Sequence, residues 1–177
     1  IYAKTGVITY SGPMVREVTI NDNEKITKYI FEYFKKCIMN DNPFIVKPAE
    51  YFYERKIKTR KNSGFTVLQN GISSGVIIGG NLCSLNLLQG TVYMPILKNK
   101  ILFIEDDDFG GKLSPFEFER NLASLLQCKD ANSIKGFIFG RFQKNFNMDI
   151  EKIKHILKDK NIPKNIPIIY NLDFGHT

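Results

Sequence analysis

The sequence is poor in the residues that build metal sites and disulfide frameworks. Its 177 residues include three cysteines and two histidines. Cys37, Cys83 and Cys128 are far apart and show no C-x-x-C spacing, so they predict neither a disulfide framework nor a zinc site. Cysteines of this kind are typical of reduced, buried thiols, and we expect a cytoplasmic protein.

Two other features are missing. No apolar run approaches the roughly 20 residues of a membrane-spanning helix, so we expect no membrane partner. The motif G-x-x-x-x-G-K-[ST] is also absent, and an NTPase would lack its phosphate-binding loop.

Hydrophobic residues make up 43% of the chain, which is enough for a core. The opening IYAKTGVITY has no initiator Met and is strand-like almost at once, from which we expect a fragment.

The positive charge is concentrated in one part of the chain. The net charge is +7, and residues 1–100 hold 14 Lys and Arg against 7 Asp and Glu. The densest run, RKIKTRK from Arg55 to Lys61, has the charge of a phosphate or nucleic-acid contact, but such runs are more often solvated surface. We expect no nucleic-acid partner and keep a basic nucleotide-binding module as an alternative.

The first 64 residues predict a strand, a helix and a connector. GVITY (Gly6–Tyr10) is strand-like. An amphipathic helix follows, with an N-cap among residues 21–23 and apolar side chains at Ile26, Ile30, Phe34 and Ile38. Residues 40–62 are polar, basic and rich in Tyr, as is typical of a connector between domains.

The remainder predicts an α/β fold. FTVLQNGISSGVIIGG indicates two short strands in a hairpin around Asn70-Gly71. Beyond residue 99, strands and helices alternate, and Ser114 is expected to cap a helix with Pro115 at its first position and Glu117 at its third. Continuous apolar strands separated by helices predict a parallel sheet covered by helices. The segments concerned are KILFIE, SPFEFERNLASLLQC, KGFIFGR, MDIEKIKHILKDK (Ile150, Ile153 and Leu157 on one face) and IPIIY.

The ends of these strands carry the candidate chemistry. Ligands of open parallel sheets bind at the carboxyl ends of the strands. Glu105, Arg141 and His176 each follow one strand, and we expect them to meet in one crevice. In many hydrolases a His is the general base and a carboxylate orients it. Polar residues also gather at strand ends without a function. His155 lies on the polar side of its helix and is expected to be solvated.

A nucleophile is harder to find. GISSG places Ser73 in a G-x-S-x-G pattern, but a nucleophile elbow needs a strand before the Ser and a helix after it. Here a turn precedes Ser73 and a strand follows, so we reject it, and no other Ser has a better context.

Two further motifs have a functional and an ordinary interpretation. In ILFIEDDD, an apolar strand leads into the acidic residues Glu105 to Asp108. These residues could bind a metal ion in a phosphohydrolase-like site, or Asp106 to Asp108 could form an ordinary solvated loop. GVIIGGNL ends a strand at Asn81, where backbone N–H groups would suit a carboxylate or phosphate and where Asn81 would also cap a helix.

Taken together, five segments resemble the serine peptidase family of LD-carboxypeptidases and microcin C immunity proteins. The resemblance covers nearly the whole chain, and the long Tyr- and Lys-rich connector is more similar to the immunity branch. The segments, in order, are KTGVITYSGPM, GVIIGGNLCSLNLLQGTVYMP, ILFIEDDD, IKGFIFGRFQ and IPIIYNLDFGHT.

The resemblance implies a Ser-Glu-His triad in which Glu105 and His176 are catalytic, with Asn81 near the bound substrate. It implies a nucleophilic Ser upstream of this chain, so that the chain by itself would be inactive. It divides the chain into a remnant of the nucleophile domain (1–14), a helix and connector (15–64) and a C-terminal domain (65–177).

The resemblance further implies a three-layer β/β/α C-terminal domain, a homodimer, and no metal or cofactor. The expected substrate is a peptidyl or aminoacyl nucleotide, with the LD bond of a murein tetrapeptide as the alternative.

Overall fold

The computed structural model describes residues 1–13, 23–54, 58–160 and 162–176. The chain divides into two compact units, residues 1–64 and residues 65–177. None of the helices in these described ranges has the length and apolarity that a membrane crossing requires.

The first unit contains a long helix and a small hairpin. Its helices are α1 (Tyr2–Thr5) and α2 (Glu24–Ile38), and its strands β1 (Tyr51–Glu54) and β2 (Lys58–Lys61) pair antiparallel. The predicted amphipathic helix is confirmed, and Asn23 is its N-cap, because the Asn23 side chain accepts from the backbone N–H groups of Lys25 and Ile26. The candidate caps at 21 and 22 lie outside the described residues.

One prediction for the first unit is wrong. Residues 6–10 form no strand, since no described segment pairs with them, and Val7 and Ile8 are exposed. The predicted connector holds the β1–β2 hairpin. Residues 55–57 of the basic run lie outside the described residues, and within β2 the Arg60 Nε donates to Glu54 Oε2 at 2.8 Å.

The second unit is built on a five-stranded sheet, and the predicted α/β class is confirmed. The strand order is β3-β7-β6-β5-β4, with β4 to β7 parallel and β3 antiparallel at the edge. The carboxyl ends of the four parallel strands therefore meet at one edge. The elements are β3 (Thr66–Gln69), β4 (Val76–Asn81), α3 (Leu82–Asn86), β5 (Lys100–Glu105), α4 (Ser114–Leu126), β6 (Gly136–Gly140), α5 (Ile150–Lys158) and β7 (Ile168–Leu172).

The predicted hairpin around Asn70-Gly71 is wrong. Both strands exist, but β3 and β4 occupy opposite edges of the sheet and do not pair with each other. Residues 70–75 instead carry the chain from one edge to the other. Gly71 packs tightly on the backbone before β7, because a Cβ there would lie 2.8 Å from the Pro167 nitrogen.

The start of α4 also differs from its prediction. A 3₁₀ turn, Gly111–Leu113, precedes the helix, so Ser114 already has helical dihedral angles and Leu113 is the N-cap. The Ser114 hydroxyl is buried and makes no capping hydrogen bond. In α5 the buried face consists of Ile153 and Ile156 rather than the predicted set, since Ile150 is 36% exposed.

The core of the second unit contains a cluster of phenylalanines. Phe118 of α4 contacts Phe139 of β6 edge-on, with ring centroids 6.0 Å apart, and also packs against Phe142 and Phe146. This packing holds α4 on the sheet, and each fully buried Phe contributes on the order of 2–3 kcal/mol. The three cysteines are free, as expected, but none is buried: Cys37 and Cys128 are half-buried and Cys83 is exposed.

Candidate active site

A glutamate and a histidine meet at the carboxyl edge of the sheet. Glu105 is the last residue of β5, and His176 follows β7. The His176 Nδ1 lies 2.6 Å from the Glu105 Oε2, so the sequence prediction that these two residues meet is confirmed. The Glu105 side chain is 10% exposed and that of His176 is 46% exposed. The carboxylate is thus shielded, whereas the imidazole is accessible.

The residues after β7 must cross the end of β6 to bring His176 to Glu105. They can do so because two glycines leave room. A Cβ at Gly140 would lie 2.6 Å from the Phe174 carbonyl oxygen, and a Cβ at Gly175 would lie 3.2 Å from the Glu105 Cβ. Gly175 also has φ +111°, which side-chain-bearing residues rarely adopt. The Phe174 ring packs edge-on against Phe103, with ring centroids 5.4 Å apart.

Arg141 lies at the same edge, and its side chain binds the segment that leads to His176. Its Nη2 donates to Asp173 Oδ1 at 2.5 Å, and its Nε donates to Asn171 Oδ1 at 3.2 Å. The side chains of Arg141 and Asp173 are 7% and 9% exposed. Of the three residues predicted to converge, Glu105 and His176 contact each other directly. Arg141 instead binds residues 171–174, which lead to His176.

Asn81 lies beside Glu105 in the sheet register, as a partner across β4 and β5. Its Oδ1 accepts from the Ser84 N–H at 2.9 Å, which confirms the predicted helix cap. Its Nδ2 donates to Asp106 Oδ1 at 3.0 Å and to Asp107 Oδ2 at 3.2 Å. The Nδ2 of Asn81 thus already has two acceptors, and a ligand that accepted from Nδ2 would compete with them.

Asp106 is a perturbed acid next to Glu105. Burial raises the pKa of Asp106 from 3.8 to about 6. This pKa of about 6 is a net result: burial is the largest cause, the negative charges of Asp107 and Glu105 add to the rise, and hydrogen bonds from the Asp107 N–H and Asn81 oppose it. The carboxyl group with the raised pKa thus belongs to the residue directly after Glu105, the partner of His176.

The acidic run shows no metal site. Within the described ranges, no three or more His, Cys, Asp or Glu side chains are grouped so that they could hold a metal ion. Asp107 Oδ1 accepts from the Phe109 N–H at 3.0 Å, as in an ordinary turn. The arrangement gives no support to the metal-dependent phosphohydrolase that the sequence left open.

Ser73 lies in the irregular stretch before β4, and a strand rather than a helix follows it. All eight serines of the chain fall within the described ranges, and none stands on a strand–turn–helix elbow. His155 is exposed on α5, as expected.

Sequence reasoning missed two residues of the site. Gln143 is buried, and its Nε2 donates to the backbone carbonyl of His176 at 2.6 Å. Asp173 is the partner of Arg141. Asp173 was visible as the acid between the end of a strand and a glycine, three residues before His176, but nothing in the spacing linked it to Arg141.

More than half of the chain matches a known protein family. The family profile described as "LD-carboxypeptidase C-terminal domain" matches residues 74–177. A Bacillus subtilis (strain 168) protein named "Putative carboxypeptidase YocD" is 38% identical over 184 residues, which cover 100% of this chain and 55% of that protein.

Solved structures give a similar result. The crystal structure of an MccF-like protein from Bacillus anthracis has a TM-score of 0.91 and 38% identity, and the match covers 99% of this chain and 54% of that one. The microcin C7 self-immunity protein MccF of Escherichia coli is 28% identical over 193 residues, 100% of this chain and 54% of that protein.

MccF also has a structure in complex with aspartyl sulfamoyl adenosine, with a TM-score of 0.72 and 27% identity over 97% of this chain and 54% of that one. The chain spans about half the length of the curated relatives it matches.

Proposed function

Because the chain belongs to the LD-carboxypeptidase family, whose C-terminal domain it contains, we propose that the complete protein is a serine-type carboxypeptidase or amidase. In this proposal His176 is the general base and Glu105 orients it. The observation that carries the proposal is the 2.6 Å contact between His176 Nδ1 and Glu105 Oε2.

The geometry suits proton transfer through the other imidazole nitrogen. A neutral His176 that donates from Nδ1 to Glu105 presents the lone pair of Nε2. Nε2 takes the proton of the serine hydroxyl while the serine oxygen attacks the amide carbonyl. The same proton then passes to the leaving amine as the C–N bond breaks, and water repeats the sequence to release the acid. The shielded Glu105 carboxylate stabilises the imidazolium formed in between.

The nucleophilic serine is proposed to lie outside these 177 residues. The relatives are about twice as long as this chain, and no serine here has the elbow context that the reaction needs. The 177-residue chain by itself is therefore expected to be inactive. The complete protein is also proposed to be cytoplasmic and homodimeric.

The proposed substrate class is the peptidyl or aminoacyl nucleotide. Support comes from the similarity to MccF, which has been solved with aspartyl sulfamoyl adenosine. The excess of basic residues in the first 100 positions also suits a phosphate-bearing substrate. The role proposed for Asn81 is to contact this substrate, through the second lone pair of Oδ1 or by exchange of an Nδ2 bond.

Two assays test the proposal on the protein encoded by the complete reading frame. The first compares hydrolysis of an aminoacyl adenylate analogue that has a scissile amide with hydrolysis of a murein tetrapeptide. Preference for the nucleotide supports the proposed substrate, and preference for the tetrapeptide moves the protein to the other branch. The second applies a serine-reactive fluorophosphonate.

Labelling of the complete protein, and none of the 177-residue chain, is expected. Stoichiometric labelling of Ser73 in the short chain would show that the wrong serine had been rejected. No labelling and no hydrolysis by the complete protein would remove the hydrolase proposal.

A further inference from the structure

The strand order separates His176 from Glu105 by the width of one strand. β6 lies between β7, which His176 follows, and β5, which ends at Glu105. The four residues after β7 must therefore pass over the end of β6 and stop at a fixed height for the 2.6 Å contact to form. Proton transfer is sensitive to such placement, since a displacement of about 1 Å can reduce turnover about 100-fold.

Arg141 holds this segment at several consecutive residues. Its backbone N–H donates to the carbonyls of Leu172 at 3.0 Å and Phe174 at 3.2 Å. Its side chain donates to Asn171 and Asp173, on either side of Leu172. One residue thus binds both the backbone and the side chains of the segment that leads to His176.

The burial of this arrangement makes it stiff. The Arg141 and Asp173 side chains are both more than nine-tenths buried, so breaking their ion pair would leave an uncompensated charge in a poorly solvated place. The planar guanidinium also directs Nε and Nη2 at fixed angles, which a lysine cannot reproduce. Gln143 adds a bond to the carbonyl of His176 itself.

We propose that Arg141 is a positioning residue that sets the Nδ1-to-carboxylate contact of His176 by clamping residues 171–174. This inference rests on the proposed function for its catalytic consequence. The structural part of the inference does not rest on it: Arg141 controls the tautomer and the proton exchange of the His176 ring, and both can be measured without turnover.

The experiment uses the 177-residue chain with ¹⁵N-labelled histidine. Its two histidines make assignment simple, and the exposed His155 is an internal reference. Long-range ¹H–¹⁵N spectra at a pH where both rings are neutral report which nitrogen carries the proton. We expect His176 in the wild type to be the Nδ1–H tautomer with a proton protected from exchange.

In Arg141→Lys the His176 signals should change to a mixture of tautomers with fast exchange, while the His155 signals stay unchanged. Lys160→Met is the matched control, because Lys160 Nζ lies 3.1 Å from Glu119 Oε1 and also loses a partly buried ion pair. This control should lower stability and leave the His176 signals as they are.

A folded Arg141→Lys chain with wild-type His176 signals would overturn the proposal. If this variant does not fold, Asp173→Asn decides instead, because it keeps an acceptor for Nη2 and removes only the charge. It should shift the His176 signals in the same direction, and unchanged signals would again overturn the proposal.

Turnover separates this inference from the proposed function. In the complete protein, Arg141→Lys should lower kcat about 10- to 100-fold with little change in KM. A wild-type complete protein that hydrolyses neither substrate, together with altered His176 signals in Arg141→Lys, would reject the proposed function and support the positioning role. Normal kcat in Arg141→Lys despite altered signals would overturn the catalytic consequence.

Discussion

The carbonyl oxygen of Phe174 lies 2.6 Å from the point where a Cβ atom of Gly140 would be, and the Phe174 ring lies 2.9 Å from the same point. The segment that carries His176 therefore rests directly on the backbone at the end of β6. The absence of a side chain at Gly140 is a condition for the contact between His176 and Glu105.

Gly140→Ala should push this segment away from the sheet. The added methyl group meets backbone, which cannot rotate aside, so we expect a loss of about 1–3 kcal/mol in the free energy of unfolding. The His176 ring should also lose its protected Nδ1 proton. Denaturant unfolding and the histidine spectra measure the two effects.

Gly136→Ala, on the same strand, is the control. A Cβ there would lie 3.2 Å from the nearest atom, the Pro167 carbonyl oxygen, so its cost should be smaller and His176 should not respond. Equal responses of His176 to both substitutions would contradict this account.

In the complete protein, Glu105→Gln should reduce turnover less than His176→Ala. Glutamine keeps a polar partner for Nδ1 but lacks the charge that steadies the imidazolium, and a loss of about 10⁴ in kcat is expected. Loss of the base itself should cost about 10⁶. Both variants should fold, since both groups lie at strand ends. Measurements of kcat and of the thermal midpoint check this, and near-wild-type turnover in a folded His176→Ala protein would remove His176 from the mechanism.

Asp106 should make stability depend on pH. Burial raises its pKa to about 6 in the folded protein, above the ordinary 3.8. The folded state therefore holds the proton more tightly than the unfolded chain. The stabilisation is complete below about pH 4 and is lost as the pH rises through 6.

Asp106→Asn should remove this dependence while keeping an acceptor for the Asn81 amide. As the pH rises from 4 to 7.5, the thermal midpoint of the variant should therefore increase relative to that of the wild type. Thermal midpoints across this range measure the effect. Asp41→Asn, at an exposed position, changes the charge equally and should give a curve parallel to the wild type. The same parallel course for Asp106→Asn would refute the prediction.

Substitution of Asn81 should separate its two structural roles. Asn81→Ala loses both the cap of α3 and the donor to Asp106 and Asp107, at a cost of about 1–3 kcal/mol. Asn81→Ser keeps a capping oxygen for the Ser84 N–H, so it should lose less. Urea unfolding compares the two, with Asn23→Ala and Asn23→Ser at the cap of α2 as reference. Equal losses for Ser and Ala at position 81 would show that the cap does not contribute.

Local patterns in the sequence were sufficient for most individual elements. The apolar spacing from Ile26 to Ile38 specified α2, and the apolar runs KILFIE, KGFIFGR and IPIIY specified β5, β6 and β7. These predictions succeed because helix and strand periodicity and capping depend on neighbouring residues. The rule that parallel strands present their ends at one edge then linked Glu105 to His176 without any coordinates.

The two failures in strand pairing have a common physical cause, since each concerned a partner distant in sequence. Residues 6–10 have a strand-like composition, but a strand requires a pairing partner, and none is present in the described ranges. The Asn70-Gly71 turn predicted a hairpin, yet β3 pairs with β7, about 100 residues away, and β4 pairs with β5. Turn residues permit a reversal of the chain and do not choose which strands pair.

The sequence by itself therefore determined the α/β class, the order of the strands and helices after residue 99, and the convergence of Glu105 and His176. Only the tertiary structure decided how they meet. Hydrogen bonds from Arg141 and Gln143 and the empty space above Gly140 guide His176 over β6. Such contacts join residues about 30 positions apart with no repeating pattern, and they depend on distances that exist only once the sheet has formed.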